Sequence, residues 1–179
     1  MSGTKPAYYW DTCLFLAWLK NETSRKAGEM DAIASMIDRF NKRQISLITS
    51  VITITEISAA KIPAGTEGLL EDVMQRSNFT RLAVDIRVAK LARDIRNWYL
   101  AREDHYGGST VTVPDSLHLA TAILYRAKEF QTFDGNDSPR YKSLGLLPLS
   151  GNVGGHPLII TKPPIPDQPS LPGFAGHGG

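Results

Sequence analysis

Four acidic residues, Asp11, Glu56, Asp115 and Asp134, have the types and settings that metal-assisted chemistry requires. Each stands beside apolar sequence, at an expected strand end or in the first turns of a helix that follows one. An unpaired carboxylate in such a place is costly. A positive group must offset that cost, and a divalent cation is the simplest candidate. Mg²⁺ and Mn²⁺ take hard oxygen ligands, and Mg²⁺ keeps several of its waters. Two such ions, roughly 3.5–4 Å apart, activate a water and stabilise the leaving oxygen of an in-line displacement at phosphorus. Without them, neighbouring carboxylates repel one another and at least one pKa should rise. Taken singly, the acids have plain structural explanations. Asp115 reads as a helix-start residue and Asp134-Gly135-Asn136 as a turn. Only the four together point to a site.

The elements that must position them alternate between short apolar runs and amphipathic stretches. Ala7 to Trp10 reads as a strand ending at Asp11, with a helix from Leu14 to Lys20 after it. Apolar spacing predicts a helix over Glu29 to Arg43, and Ile45 to Thr49 reads as a strand. Ser50 suits the cap of a helix from about Val51 to Lys61, on which Glu56 faces either inward or outward. Glu67 to Gln75 reads as a short helix and Phe79 to Val84 as a strand. Val84, Val88, Leu91, Ala92, Ile95 and Trp98 form one stripe of a helix over 84–99, with Asp85 at its start. A Gly/Ser/Thr-rich loop, His105 to Val113, leads to Pro114 at the first position of a helix reaching about Lys128. Phe130 to Phe133 reads as a strand ending at Asp134, Tyr141 to Leu147 as a short helix and Leu158 to Thr161 as a last strand. Strands alternating with helices indicate an α/β domain with a mainly parallel sheet, and sites in such folds form beyond the carboxyl ends of the strands. Asp11 and Asp134 belong there on this reading.

Composition narrows the functional classes. The 179 residues suffice for one domain with a real core, and a hydrophobic content of 42% argues against disorder over most of the length. No apolar run reaches the ~18 residues of a membrane span. Met1 to Pro6 carries no leader-like apolar stretch, so a cytoplasmic location is expected. The single Cys13 excludes an internal disulfide and a cysteine-based zinc site. From Pro163 to Gly179, 9 of 17 residues are Pro or Gly, which predicts a folded unit over 1–162 and a flexible tail over 163–179. Net charge is only +2, but basic residues recur at Arg39, Lys42 and Arg43 and at Arg87, Lys90, Arg93, Arg96 and Arg102. These are solvated helix faces or phosphate-tracking surfaces. No Ser–His–Asp or Cys–His arrangement competes: His105, His156 and His177 lie in loops or the tail. Gly107-Gly108 lacks the Lys-Ser/Thr of a phosphate loop.

Four short motifs carry a resemblance. They are Tyr9-Trp10-Asp11-Thr12-Cys13, Ser50 to Ile57, Asp115-Ser116-Leu117-His118-Leu119-Ala120-Thr121-Ala122, and Thr132-Phe133-Asp134. In this order and spacing the chain resembles a PIN-domain ribonuclease, in layout a VapC-like toxin of a type II toxin–antitoxin pair, over roughly Ala7 to Lys162. The resemblance implies a three-layer sandwich with a mainly parallel five-stranded sheet. It implies that Asp11, Glu56, Asp115 and Asp134 bind Mg²⁺ or Mn²⁺, with Asp137 at a more variable fifth position and Thr12 and Thr132 as supporting hydroxyls. Cys13 stands where the family often has Asn, which leaves that polar contact open, and His118 reads as a packing residue. The implied activity is metal-dependent endonucleolytic cleavage of RNA, with a cognate antitoxin as partner and a homodimer left open. Three other readings compete: a catalytically weak PIN module that binds RNA or protein, a housekeeping RNA-processing nuclease, and another α/β phosphohydrolase. Against the last, Asp11 is followed by Thr12 and Cys13, not by the Asp-x-Asp such enzymes use.

Overall fold

The structure, a computed structural model, describes residues 5–58 and 61–166. Five strands, β1 (Ala7–Trp10), β2 (Ser46–Ser50), β3 (Phe79–Leu82), β4 (Glu129–Gln131) and β5 (Ile160–Thr161), form one sheet in the order β3-β2-β1-β4-β5. Every pairing is parallel. The central strand is fixed from both sides, Tyr8 facing Leu47 on β2 and Glu129 on β4.

Residue alternation along β1 assigns the two faces. Tyr8 and Trp10 pack with Leu14 and Phe15 of α1 (Thr12–Lys20), Ile33 and Phe40 of α2 (Glu29–Asn41), and Met74. Tyr9 points the other way, with Phe130, into a second core. Helices cover both faces, which makes three layers, and a parallel sheet requires its strands buried on both sides. The remaining elements in chain order are α3 (Ile52–Glu56), α4 (Glu67–Met74), α5 (Ile86–Leu100), α6 (Glu103–Tyr106) and α7 (Val113–Leu124). Two 3₁₀ turns, Pro139–Tyr141 and Leu147–Leu149, follow β4. Among the described residues, no helix is long and apolar enough to cross a membrane.

The amphipathic helix read from the stripe at 84–99 is α5, and it packs on α7. Asp85 caps it by accepting from the Arg87 and Val88 amides. The buried face centres on Tyr99, fully enclosed, where the sequence stripe had favoured Trp98.

Several boundaries differ from the sequence reading. The helix expected over 51–61 is the five-residue α3, because Ile52, Thr53, Ile54 and Thr55 are all β-branched and lose side-chain freedom in a helix. Ser50 closes β2, although its hydroxyl still accepts from the Ile52 amide at 3.3 Å. Helix α7 stops at Leu124, not Lys128, since Arg126 adopts a left-handed conformation (φ 53°) and the Ala127 amide reaches back to the Ala122 carbonyl. Helix α6 runs two residues into the loop expected from His105 and carries that histidine. The helix expected over 141–147 is absent. Its centre, Gly145, lies so close to the chain that a Cβ there would fall 2.6 Å from the Asn136 backbone nitrogen, a fit that only glycine permits. The last strands are shorter than expected, β3 ending at Leu82, β4 at Gln131 and β5 starting at Ile160. The tail expected from residue 163 lies largely outside the described residues, and so does His177. Of its first residues, Pro163 is buried and Ile165 lies over Gly28.

Candidate active site

Asp11 is the residue between β1 and α1, at the carboxyl edge of the sheet, and it is nearly buried. Its extended backbone (φ −71°, ψ 155°) makes it the N-cap of α1. One carboxylate oxygen, Oδ1, accepts from the Thr12 amide at 2.7 Å. The other, Oδ2, accepts from the Thr132 hydroxyl at 2.7 Å. That hydroxyl in turn accepts from the Asp134 amide at 3.0 Å, so Thr132 ties Asp11 to the loop that carries Asp134. Cys13 does make the polar contact left open in the sequence. Its thiol donates to Asp11 Oδ2 at 3.3 Å and its sulfur accepts from the Phe133 amide at 3.3 Å. Burial, and then the charge of Asp11, push the thiol's pKa well up, which keeps it a donor.

Glu56 is the last residue of α3, and its side chain turns inward, resolving the helix phase that the sequence left open. Its Oε2 accepts from the Thr12 hydroxyl and lies 2.9 Å from His118 Nε2. Burial alone would raise the Glu56 pKa. Hydrogen bonds from His118 and Thr12, aided by the charges of His118 and Lys61, carry it below the ordinary value.

Asp115 sits in the first turn of α7, whose N-cap is Thr112. The Thr112 hydroxyl caps the helix by accepting from the Asp115 amide and donates to the Asp115 carboxylate. Burial raises the Asp115 pKa, opposed by the Thr112 bond, and the charges of Asp11 and Glu56 raise it further. Asp134 follows β4 by three residues, and its carbonyl accepts from the Leu146 and Leu147 amides. Burial, then the charge of Asp115, push its carboxyl up to about 6, with Asp11 and Asp137 adding to the rise. The rise expected for crowded acids therefore falls on Asp115 and Asp134.

The structure thus brings Asp115 within electrostatic reach of Asp11 and Glu56, and Asp134 within reach of Asp115, Asp11 and Asp137, from separate segments of the chain. Among the described residues, no three His, Cys, Asp or Glu side chains crowd closely enough to form a ready-made ion cage. Asp137 is exposed, and its Oδ1 accepts from the Gly145 amide at 2.8 Å, holding the loop behind Asp134. His118, read as packing, instead reaches Glu56. The signal was its spacing of three from Asp115, which puts both on one face of α7.

Most of the basic stripe read over 87–102 is taken up locally, while Lys90 stays exposed. Arg87 pairs with Asp85, Arg93 with Asp94, Arg96 donates to the Val111 carbonyl, and Arg102 stacks on Trp98 at 3.7 Å. In the other cluster Lys42 pairs with Asp38. A cleft of about 570 Å³ opens beside the Asp134 loop, lined by Arg25, Lys26, Lys162, Phe133, Gly135 and Asn136 among others. Arg25 covers the Phe133 ring at 4.2 Å and pairs with Glu22, and Lys162 pairs with Glu29.

The fold recurs in solved structures. The VapBC2 complex of Rickettsia felis, solved with a DNA fragment from its promoter, shares 14% identity over 76% of this chain and 91% of the matched chain, with a TM-score of 0.50. A toxin–antitoxin complex from Klebsiella pneumoniae is 18% identical over 76% of this chain and 95% of its own, with a TM-score of 0.44. FitAcB from Neisseria gonorrhoeae is 17% identical over 72% and 88%, with a TM-score of 0.46. No curated protein sequence matches the chain significantly. The sequence model of the PIN domain matches residues 8–141, which is most of the folded body. With that pattern running from β1 into the turn after β4, over an all-parallel sheet, the chain belongs to the PIN domain family of nucleases.

Proposed function

We propose that the protein is a metal-dependent endoribonuclease and the toxin of a toxin–antitoxin pair. The observation that carries the nuclease part is the gathering of partly buried acids at one sheet edge: burial, then the charges of Asp115, Asp11 and Asp137, raise the Asp134 carboxyl to about 6, and Asp115 is raised by burial and by the charges of Asp11 and Glu56. Such an excess of negative charge suits a cation. The donors are all oxygen, which favours a hard ion such as Mg²⁺ or Mn²⁺. Asp11, Glu56, Asp115 and Asp134 would hold Mg²⁺ or Mn²⁺, with Asp137 outermost because one of its oxygens is committed to Gly145. When bound, the metal supplies an activated water and stabilisation of the leaving 3′ oxygen.

The chain's own groups set the rest. Thr132 and Thr12 orient Asp11, and Glu56 stays ionised through the bonds that lower its pKa. The open edge at Asp134 favours an exposed backbone, as in single-stranded or looped RNA. The adjoining cleft offers a flanking phosphate Lys26, which has no ion-pair partner among the described residues. The toxin role rests on the order of the sequence motifs, and the fold shared with Rickettsia felis VapBC2 agrees with it. An antitoxin is the matching partner, and a homodimer is compatible with it.

The purified protein should cut RNA with Mg²⁺ or Mn²⁺. EDTA should stop the cutting, and Asp11→Asn should lower it by about 10³-fold or more, the scale of losing a main electrostatic contributor. Cutting that survives both would overturn the mechanism. Growth arrest on expression, relieved by a co-expressed neighbouring gene product, tests the toxin role.

A further inference from the structure

Glu56 is weakly held by its own helix. It ends a five-residue element made otherwise of β-branched residues, and Ile54 and Thr55 beside it are exposed. The position of its carboxylate is therefore set by what the side chain touches. One contact comes from Thr12 and the other from His118, which is 1% exposed on the well-packed α7.

The His118 ring is itself fixed at its far side. Its Nδ1 lies 2.7 Å from the hydroxyl of Tyr9, a fully buried residue of the central strand. That hydroxyl accepts from the Ser50 amide at 2.9 Å, and the Tyr9 and His118 rings meet edge to face at 5.9 Å. An ionised carboxylate only accepts, so the 2.9 Å approach of Nε2 to Glu56 Oε2 places a proton on Nε2, donated to that oxygen, while Nδ1 shares its bond with the Tyr9 hydroxyl. Glu56 Oε1 has no hydrogen-bond partner among the described residues.

We propose that His118 is a positioning residue: braced by Tyr9, it ties Glu56 Oε2 through Nε2–H and leaves Oε1 free to serve the acid cluster. The proposal rests on Glu56 belonging to the cation site. A histidine that only filled space would need no donor aimed at a carboxylate and no buried hydroxyl behind it.

Two measurements test it. In the metal-free protein, long-range ¹H–¹⁵N spectra should show His118 protonated at Nε2, and a neutral ring protonated at Nδ1 would overturn the assignment. Mn²⁺ affinity, read by electron paramagnetic resonance, should weaken about 10–100-fold in His118→Leu, as for other groups that support metal ligands. His118→Gln keeps an N–H near the Nε2 position and should recover most of that loss. Tyr9→Phe, which releases only the brace, should weaken binding in the same direction by less. Folded His118→Leu with wild-type Mn²⁺ affinity sinks the proposal, as does a loss in His118→Gln equal to that in His118→Leu. If His118→Leu does not fold, wild-type affinity in Tyr9→Phe together with a large loss in His118→Gln has the same force. Glu56→Gln is the separate control. If it leaves Mn²⁺ affinity unchanged, the cation-site reading of Glu56 fails, whereas a loss there with none at His118 overturns only the positioning role.

Discussion

Asp134 carries the largest mark of the acid cluster, and its titration should be visible in stability. Its carboxyl is raised to about 6 from the ordinary aspartate value of 3.8. In the folded state it binds a proton more tightly than in the unfolded chain. The stability this contributes is fully present below about pH 3.8 and is lost as pH rises through about 6. Asp115, also raised, acts in the same sense, whereas Glu56, lowered, contributes stability that is lost on acidification. Asp134→Asn removes only its own part. In EDTA the variant should match the wild type near pH 3.5 and melt about 2–4 °C higher at pH 7.5. That corresponds to roughly 1 kcal/mol, discounted because the group is partly solvated. Added Mn²⁺ should reverse the order. A melting difference that does not change with pH would refute the cause given for the shift. The four acids stood out in the sequence only as a set, through their order at strand ends and helix starts, since Asp115 alone reads as a helix start and Asp134 alone as a turn. It could not give the phase of Glu56, which depends on where a short helix stops. Nor could it separate His118 from core packing, because the partner that distinguishes the two, Glu56, lies far away in sequence.

At the level of elements, the loop between β4 and β5 does more than connect. Its backbone holds Asp134 through Leu146 and Leu147, and Asp137 holds Gly145. Gly145→Ala would force a Cβ to within 2.6 Å of the Asn136 nitrogen, a contact with backbone that cannot swing aside. Melting should register a loss of about 1–3 kcal/mol. RNA cleavage by the folded fraction should fall as well, because the displaced segment carries Asp134. Full activity in a folded Gly145→Ala protein would count against the loop's part in placing that acid. On the opposite side, Asp85→Ala should cost about 1 kcal/mol by uncapping α5 and leave cleavage intact. The long helices were readable because their apolar spacing is strong and their caps are explicit, as at Asp85. The helix expected over 141–147 failed because residue spacing does not reveal a close approach of two backbone segments. The stretch at 51–61 failed because an apolar pattern hid poor helix formers.

At the scale of the whole molecule, the cleft beside Asp134 holds Lys26, which makes no ion pair among the described residues. Lys26→Glu should raise KM for RNA with little change in kcat and lower the salt dependence of binding by about one ion. A change in kcat alone would place Lys26 elsewhere in the reaction.

The central strand has one more consequence. Tyr9 of β1 pairs with Phe130 of β4, and β1 lies between partners drawn from both ends of the folded chain. A ribosome releases the N-terminal half first, so an emerging chain holds Asp11 and Glu56 without Asp115, Asp134 or the strand that aligns them. Non-local pairing of this kind also slows folding. If the four acids act together as proposed, competence is gained late in folding: nuclease activity should appear in refolding only once β4 has closed onto β1.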